Sequence, residues 1–594
     1  MVEGLPEKSE SVSPQKSLKL EHRERSRFSK IDLIACLIIL ATAGLITSPI
    51  LIHGIPNGDD AAMHYRRTAD FIEAISEGSI YPRWLPRSNF GQGSPVMLYY
   101  PPLPFYVASA FNVLVRDPMR ALSLGCWLGL ALSGLTMYVF GRSVFPRWIA
   151  LLTALLYMAV PYHVFDLYYR SALSEYWSFA WLPLVFDATH RVASGRGWRA
   201  AAYLACAYSL LLLTHVLISF EVTLLLPIYL LLQTRRLSRI VKAAAGLATG
   251  VLVSAVFVVP LLFEGDYIRL DRSLRIPFTN FFLFENVVSA IQVHRFPTPA
   301  EHSFYFAEAL DLASIGLPLL IVISALAIWR NRKLLEEPLS KAFVGSVGAV
   351  AGLSLLLTTR LSAPVWQAWS QLHYIQFPFR WLTITASTAV ILAGVAVSLL
   401  ARERRLRLVF GASLAAAAII NVSISVLAVA QASYDRKLLE EGLTGAEVAE
   451  YRTIWLDRQK HLHETVKPAV TTTSGDAGIS VIDDAGRWQN YIVNASTQST
   501  LTLRTYYFPG WVARVDGQRV EITPSKEGNI QLLVEPGQHT LSLSFEDTWP
   551  RTAGKLISGA GLLALLILLG LGRVARNRET SLTDFDGTNQ NDAR

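Results

Sequence analysis

The sequence predicts a polytopic α-helical membrane protein with one small all-β domain outside the membrane. Of its 594 residues, 52% are hydrophobic and 17% are charged, and the mean hydropathy is +0.34. Soluble domains carry roughly a quarter of their residues as charged side chains. Many apolar runs are also long enough to cross a hydrocarbon core about 30 Å thick. These observations exclude a soluble enzyme, a disordered hub and a fibre.

The basic residues are distributed as in a membrane protein. The formal net charge is +8, but Lys and Arg lie in short clusters between apolar runs instead of along one helix face. Such clusters are typical of cytoplasmic loops, so no nucleic-acid partner is expected. Cys36, Cys126 and Cys206 each lie inside an apolar run, which indicates neither a disulfide framework nor a CxxC metal site.

The N-terminal part predicts a tail followed by a first membrane helix. Residues 1–30 are polar and end in a basic stretch, which predicts a disordered cytoplasmic tail. The first apolar run, 31–52, is longer than the usual signal-peptide core of about 7–15 residues, so we expect a retained helix. Further runs bring the prediction to about 12 transmembrane helices: 119–140, 148–160, 176–186, 200–217, 219–233, 243–263, 312–329, 342–359, 381–401, 408–431 and 556–572.

The stretch 200–233 decides the topology, because it can be one long helix or two short helices that meet near His215. With two crossings, the basic clusters all fall on the side of the N-terminus, as the positive-inside rule requires. These clusters are 142–147, 191–199, 235–239, 330–333, 402–407 and 573–578. We therefore expect both termini in the cytoplasm. The segments outside are then 53–118, 161–175, 264–311, 360–380 and 432–555.

The segment 432–555 changes character near Ala477. From there, stretches of alternating residues such as 500–507 and 540–545 predict strands. The dipeptide Asp516-Gly517 lies between two such stretches and suits the positive φ angles of a type I′ turn. We expect a small all-β domain, followed by the last transmembrane helix at 556–572 and a cytoplasmic tail at 573–594.

Two carboxylates and a histidine open the first outer segment, in the order Asp59, Asp60 and His64. Asp is a favoured N-cap residue, so either Asp can simply begin an amphipathic helix that runs to about Glu77. The same position would also orient a reactive carboxylate, and Asp60 and His64 would share one helix face. Both interpretations stay open. The loop that follows, 81–104, is rich in Pro, Gly and aromatic residues and is either an interfacial belt or a floor for a sugar or prenyl chain.

Three further positions place charge or imidazole beside apolar runs. Arg170 and Glu175 form either a mutual salt bridge or contacts to a ligand. His215 interrupts the run 200–233 and by parity lies on the same side as Asp60. Arg380 begins an apolar run, where it either snorkels to a lipid phosphate or binds a lipid-linked phosphate.

These residues together resemble a known family. Over about residues 30–430 the chain resembles the membrane proteins labelled 6-pyruvoyl-tetrahydropterin synthase-related, which are grouped with the GT-C type glycosyltransferases. The resemblance rests on the ordered motifs Gly58-Asp59-Asp60-x-x-x-His64, Tyr81-Pro-Arg-Trp84, Gly91-x-Gly93, Tyr100-Pro-Pro-Leu103, Tyr169-Arg170-x-x-x-x-Glu175, Thr214-His215 and Gln376-Phe-Pro-x-Arg380-Trp381. The stretch 506–517 is similar to the outer β-domain of YfhO-like membrane proteins.

The resemblance implies a GT-C-like transmembrane domain at 31–431. Such a domain transfers a sugar from a polyprenyl-phosphate donor to an extracytoplasmic glycan, lipid or protein. It implies that an acidic residue of the first outer segment acts on the acceptor or holds a divalent cation, so Asp60, and next Asp59, are the catalytic candidates. The candidates for substrate binding are His64, Arg170, Glu175, His215 and Arg380, with the two arginines facing the phosphate.

The family label does not predict pterin chemistry. A soluble pterin synthase needs a closed set of zinc-binding histidines, whereas the 12 histidines of this chain are scattered along it. We expect neither pterin nor zinc. Sugar transfer from a phosphate needs one base and nearby cations. The lack of an evident second carboxylate at glycosidase spacing favours a transferase over a hydrolase.

Two non-enzymatic functions are the alternatives. A membrane protein that exports or flips a lipid-linked polysaccharide would also be polytopic, and so would a scaffold whose β-domain binds envelope glycans. A transporter is expected to bury charges near the midplane of its helices. The acidic candidates of this chain lie instead beside one membrane surface, which favours an enzyme.

Overall fold

The helices of the computed structural model follow the apolar runs of the sequence. The structure describes residues 29–269, 278–285, 309–401, 407–430, 432–441, 448–456, 468–483 and 486–589. The predicted tail up to residue 28, most of the segment 264–311 and most of the basic cluster 402–407 lie outside the described residues. The α-helices described are Lys30–Ile46, Ser48–His53, Ala61–Ser76, Ser88–Gly91, Leu103–Val115, Pro118–Val144, Arg147–Met158, Pro161–Tyr168, Leu173–Ser178, Leu182–Ala193, Gly197–Leu212, Val216–Gln233, Leu237–Val253, Ala255–Phe263, Gly316–Arg330, Lys341–Leu357, Ala363–Ala368, Leu382–Leu400, Arg407–Ala430, Arg436–Glu441 and Trp549–Asn589.

Eight helical segments of the described chain are long and apolar enough to cross a membrane. They are Lys30–His53, Pro118–Val144, Arg147–Tyr168, Val216–Gln233, Ala309–Arg330, Pro378–Leu400, Arg407–Ala430 and Trp549–Val574. The pair Leu237–Val253 and Ala255–Phe263, bent by 74°, makes a ninth if it is one span. The predicted polytopic helical membrane protein is therefore confirmed.

These full-length spans are fewer than the predicted twelve. The runs 176–186, 200–217 and 342–359 are helical, but their helices are short: Leu182–Ala193, Gly197–Leu212 and Lys341–Leu357. A helix of 16 residues is about 24 Å long, less than a hydrocarbon core of about 30 Å. Hydropathy does not show this difference, because apolar residues beyond a helix end lengthen the run without lengthening the helix.

The predicted interruption near His215 is present. Gly197–Leu212 ends there and Val216–Gln233 begins, with His215 as the N-cap residue of the second helix. Its ring Nδ1 accepts a hydrogen bond of 3.1 Å from the backbone N–H of Ile218. The run 200–233 therefore forms two helices, as the topology prediction requires.

The helix Leu382–Leu400, called the central helix below, is buried along almost its whole length. It packs against Gly316–Arg330 and Lys341–Leu357. A Cβ atom at Gly394 would lie 2.7 Å from the ring of Phe145, so glycine is required there for close helix packing. Because its neighbours hold the central helix on all sides, its N-terminal end has a fixed position.

The β-domain, residues 470–545, consists of two antiparallel sheets. Their strand orders are β1-β4-β8-β7 and β2-β3-β9-β5-β6. The strands are β1 (Val470–Ser474), β2 (Ala477–Asp483), β3 (Trp488–Ala495), β4 (Ser499–Tyr506), β5 (Trp511–Val515), β6 (Gln518–Val520), β7 (Thr523–Pro524), β8 (Asn529–Val534) and β9 (Gly537–Phe545). Asp516 and Gly517 form the predicted turn, with φ angles of 52° and 80°.

The domain begins earlier than predicted, because β1 precedes Ala477. The sequence of β1 is Val-Thr-Thr-Thr-Ser, which lacks the alternation of apolar and polar residues that marks a strand. It is a strand because its backbone pairs with β4, for example Val470 with Leu503. That pairing between distant segments leaves no local pattern.

The β-domain packs on the first outer segment, residues 53–118, which is called the loop segment below. It also packs on the start of the last helix. Trp84 meets Trp511 edge to face, with ring centroids 5.2 Å apart. Arg551 is fully buried, and its Nε lies 3.0 Å from a carboxylate oxygen of Glu264. Its two Nη atoms donate to the carbonyls of Glu546 and Pro509 at 3.0 and 2.7 Å. We call the membrane face that carries this domain the β-domain side.

The last span starts at Trp549, seven residues before the predicted position, and packs on the middle of the chain. The hydroxyl of Ser558 accepts a hydrogen bond of 2.7 Å from the backbone N–H of Val256 and donates one of 2.9 Å to the carbonyl of Val253. A Cβ atom at Gly561 would lie 2.5 Å from the backbone of Val253. The two segments therefore touch backbone to backbone.

Candidate functional site

The helix Ala61–Ser76, called the loop helix, begins at Asp60 as predicted. Asp60 is its N-cap residue, but its carboxylate makes no capping hydrogen bond to the helix. Its backbone N–H instead donates to the carbonyl of Arg170 at 2.9 Å. A Cβ atom at Gly58 would lie 2.5 Å from the carbonyl of Tyr169, so the glycine lets the two loops meet. The carboxylate of Asp60 is therefore not used for capping.

Positive charge surrounds Asp60. Burial raises the pKa of the Asp60 carboxyl above its ordinary value, and the neighbouring Asp59 adds to this effect. Arg170, Arg67 and Arg380 oppose the shift by attraction. Asp59 itself is exposed. Asp60 is thus the inner of the two predicted carboxylates, and it lies within electrostatic range of three guanidinium groups.

Glu175 lies between two of these arginines. Its Oε2 is 3.0 Å from Nη1 of Arg170 and 3.4 Å from Nε of Arg380. Its Oε1 accepts hydrogen bonds from the hydroxyls of Tyr162 at 2.6 Å and Thr383 at 3.4 Å. Burial opposes ionisation of Glu175, but Arg170 and Arg380 outweigh it and hold the pKa below its ordinary value. The salt bridge between Arg170 and Glu175, one of the two interpretations of their sequence positions, is present and extends to Arg380.

Arg170 has a second buried carboxylate beside it. Its Nη1 donates to Asp166, one helical turn earlier, as well as to Glu175. The guanidinium also lies over the ring of Phe379, 4.9 Å from the centroid. Asp166 lies three residues before the motif that starts at Tyr169, and the sequence analysis gave it no role.

Arg380 points into the protein instead of snorkelling to the membrane surface. Its side chain is only 11% exposed. Nη1 donates to the carbonyl of Ile375 at 2.5 Å and to Oε1 of Gln376 at 3.0 Å. These contacts place the guanidinium at the N-terminal end of the central helix. An inward guanidinium does not snorkel to a lipid phosphate, and binding of a lipid-linked phosphate by Arg380 stays a prediction.

His64 lies one turn after Asp60 on the loop helix and is buried. Its Nε2 is 3.3 Å from the hydroxyl of Tyr100. Burial, with Arg67 and His215 nearby, lowers the pKa of His64 to about 3, so the imidazole is neutral at physiological pH. Arg67 follows on the same face and stacks over the rings of Tyr100 and Tyr451, at 4.6 and 5.1 Å.

Arg67 was missed by the sequence analysis. A pattern that could have indicated it exists, because position 67 lies three residues after His64 and therefore on the same helix face. The motif that contains Asp60 was followed only as far as His64, because an arginine on a loop helix usually faces solvent. Here Arg67 is fully buried.

His215 completes the group. Its pKa is lowered to about 3, mainly by burial, while Glu175 opposes the shift and Arg380 and Arg170 add to it. Since Nδ1 accepts a hydrogen bond from Ile218, the proton of the neutral ring is on Nε2. His215 therefore presents an N–H donor. The structure thus brings together Asp60, His64, Arg170, Glu175, His215 and Arg380, with Asp59 at the rim.

The cluster bears on the divalent cation that the resemblance implies. Within the described part of the chain, no three His, Cys, Asp or Glu side chains are grouped so that they could hold a metal ion. Chemically, the site combines one carboxylate of raised pKa, several buried guanidinium groups and two neutral imidazoles. Such a set can bind an anionic group and accept a proton beside it.

The fold and this cluster define a polytopic membrane protein with a buried, arginine-rich polar site on its β-domain side. The family described as 6-pyruvoyl-tetrahydropterin synthase related domain, a membrane protein family, matches residues 97–430, more than half of the chain. The protein belongs to this family, and the resemblance seen in the sequence is confirmed.

Similar proteins cover the chain only in part. An uncharacterised protein of Lactococcus lactis subsp. cremoris (strain MG1363) is 24% identical over 258 residues, which are 41% of this chain and 42% of that protein. The mycobacterial arabinofuranosyltransferase AftD has a TM-score of 0.42 at 16% identity, over 69% of this chain and 28% of AftD. The oligosaccharyltransferase of Archaeoglobus fulgidus has a TM-score of 0.35 at 14% identity, over 71% and 57% of the two chains. At these TM-scores the likeness assigns no activity.

Proposed function

We propose that the protein transfers a sugar from a polyprenyl-phosphate donor to an acceptor hydroxyl on the β-domain side of the membrane, with that side outside the cytoplasm. The observation that carries the proposal is the carboxylate of Asp60. It begins a helix without capping it, lies partly buried, and faces Arg67, Arg170 and Arg380. A base beside a set of cations is what this reaction needs.

The proposed reaction uses Asp60 as the general base. The acceptor hydroxyl gives its proton to the carboxylate as its oxygen forms a bond to the anomeric carbon of the donor sugar. The bond between that carbon and the phosphate oxygen breaks, and the phosphate leaves with the electron pair. A raised pKa brings Asp60 closer to the operating pH and makes it a better proton acceptor than an ordinary aspartate.

Arg380 is the best candidate to receive the departing phosphate. It lies just before the N-terminus of the central helix, where free backbone N–H groups and the helix dipole favour an anion. Gln376 and Glu175 hold its guanidinium in place. Arg170 is positioned by the same glutamate. In this role Glu175 does not touch the substrate but fixes the two arginines.

Transport of a lipid-linked glycan is the second candidate, and Glu221 favours it. This residue is fully buried inside the span Val216–Gln233. Within the described residues, neither of its carboxylate oxygens has a hydrogen-bond partner. Ionisable residues inside membrane helices often mark ion or substrate pathways. The enzyme hypothesis is preferred because the larger set of charged groups lies at Asp60.

Substitution of Asp60 by Asn tests the proposal. Asn keeps the size of the side chain and is equally favoured at an N-cap, so the protein should fold. We expect transfer from a polyprenyl-phosphate sugar to fall by about 100-fold or more, as for loss of a general base. The assay uses purified protein in lipid vesicles with a panel of polyprenyl-phosphate monosaccharides.

Asp59→Asn is the matched control, because Asp59 is adjacent but exposed. It should keep most of the activity. Wild-type activity in Asp60→Asn, in Asp59→Asn and in the double variant would exclude both carboxylates as the base. Accumulation of a lipid-linked sugar on the far side of the vesicle, without transfer, would favour the transport function.

A further inference from the structure

A polar cavity lies between the loop segment and the β-domain, away from the cluster around Asp60. Its volume is about 240 Å³. This is slightly below the range of about 300–1,000 Å³ for pockets that hold drug-sized ligands, so the cavity suits a ligand portion about the size of one sugar ring. The cavity, called the cleft below, is lined by Glu73, Glu77, Trp84, Pro86, Arg87, Gly91, Gln92, Ala469, Gly486, Gln489, Tyr491, Arg504 and Thr505.

The two walls of the cleft are fixed to each other. Gln92 on the loop side accepts a hydrogen bond of 2.9 Å at its carbonyl from the backbone N–H of Tyr506. Its side-chain oxygen accepts a second, of 3.1 Å, from Asn529 of β8. Trp84 packs against Trp511 behind the same wall. The cleft is therefore part of a built interface and not a gap between loosely placed segments.

The floor of the cleft is a buried polar network. Gln489 and Thr505 exchange hydrogen bonds of 2.9 and 3.1 Å, and the hydroxyl of Tyr491 donates to Gln489 at 3.1 Å. All three residues are buried. The three side chains satisfy one another's hydrogen bonds, which holds their polar atoms in fixed positions. Amide and hydroxyl groups in a fixed arrangement are typical of sites that recognise a polar, uncharged ligand.

The mouth of the cleft carries both signs of charge. Arg87, Arg504, Glu73 and Glu77 all line the cleft, and Arg87 forms a salt bridge with Glu73. The two glutamates disfavour a phosphate or another dianion, and the two arginines disfavour a cation. Side chains that supply both donors and acceptors suit a ligand with many hydroxyl groups, because each hydroxyl donates and accepts.

We propose that the cleft is a binding site for a neutral carbohydrate, separate from the cluster around Asp60. The loop helix connects the two places, with Asp60 at one end and Glu73 near the other. Its 16 residues span about 24 Å. The ligand of the cleft is then the distal part of a growing acceptor glycan, whose end reaches Asp60. This assignment of the ligand as an acceptor rests on the proposed function, whereas binding in the cleft does not.

The test is binding of the purified full-length protein to an array of neutral and phosphorylated oligosaccharides. We expect retention of at least one class of neutral oligosaccharide. Ala469→Trp fills the cleft without removing a polar group, and it should weaken binding more than tenfold. Thr471→Trp, two residues further on at an exposed position of β1, is the matched control and should bind like the wild type.

Two further variants keep the result decisive. If Ala469→Trp does not fold, the surface pair Glu77→Gln with Arg87→Gln should fold and lose binding by the same amount. Asp60→Asn should bind the oligosaccharide normally. Three results would refute the proposal that the cleft binds a neutral carbohydrate. They are no retention of any neutral oligosaccharide, a preference for phosphorylated oligosaccharides, and full binding by Ala469→Trp. Loss of binding in Asp60→Asn would place the ligand at the other site. Transfer activity without cleft binding would leave the proposed function standing.

Discussion

Glu175 should stabilise the fold strongly, and Glu175→Gln measures how much its charge contributes. Its Oε2 lies 3.0 Å from Arg170 and 3.4 Å from Arg380, and all three side chains are nearly inaccessible to solvent. At an effective dielectric constant of about 20, each pair attracts by about 5 kcal/mol before desolvation. Removing one partner from a buried ion pair typically costs about 3–5 kcal/mol. Gln keeps the shape and removes only the charge.

Glu221→Gln is the control for this prediction. Glu221 is equally buried, but no hydrogen-bond partner of its carboxylate lies among the described residues. Replacing it by Gln breaks no ion pair, so we expect a change in the free energy of unfolding below about 1 kcal/mol. Comparing the free energies of unfolding of Glu175→Gln and Glu221→Gln separates the loss of an ion pair from the general effect of burying an amide.

A buried thiol gives a local readout of unfolding. Cys126 is buried, and its carbonyl accepts a hydrogen bond of 2.6 Å from Tyr176, the residue after Glu175. In a Cys36→Ala and Cys206→Ala background, a thiol-reactive dye reports exposure of this region on heating. Glu175→Gln should react at a clearly lower temperature than wild type and Glu221→Gln. Equal melting of the three proteins, or a larger loss for Glu221→Gln, would refute the reasoning.

Two other predictions concern a buried aspartate and the topology. Burial raises the pKa of Asp70 to about 7, against hydrogen bonds from the backbone N–H groups of Ser88 and Arg87. Because the folded protein holds this proton more tightly than the unfolded chain, stability should fall as pH rises from about 4 to about 7, by roughly 1.4 kcal/mol per unit of pKa difference. Asp70→Asn should flatten that slope in thermal melts at pH 5 and 7.5, and an unchanged slope would contradict the assignment. Leu237→Cys, in an otherwise cysteine-free chain, should resist an impermeant thiol reagent added outside cells, whereas Thr471→Cys should react; labelling at 237 would reverse the proposed orientation.

The sequence was most informative where the cause of structure is local. Asp60 begins the loop helix, His215 interrupts an apolar run, and Asp516-Gly517 turns a hairpin because each depends on residues close in the chain. Arg170 and Arg380 were recognisable as candidates, since charge beside an apolar run is costly. In each case a rule about neighbouring residues was sufficient.

Contacts between distant segments could not be inferred in this way. Glu175 and Thr383 meet across 208 residues, and nothing in either segment specifies the other. Arg67 was missed because its burial depends on Tyr451, which belongs to the segment before the β-domain. The cleft requires the loop segment and the β-domain together, so no single motif encodes it.

The packing of the last span on the middle of the chain constrains the order of biosynthesis. Val256 and Ser558 are bonded across 302 residues. At about 5–20 residues per second, the partner of Val256 is made roughly 15–60 s after Val256 itself. During that time the backbone groups of Val253 and Val256 lack their final neighbour and can be covered only by lipid, by an insertion factor or by another helix. In a chain truncated before Trp549, which lacks its last 46 residues, these backbone groups would never meet their partner. Such a chain should be recognised as unassembled even though every earlier span is present.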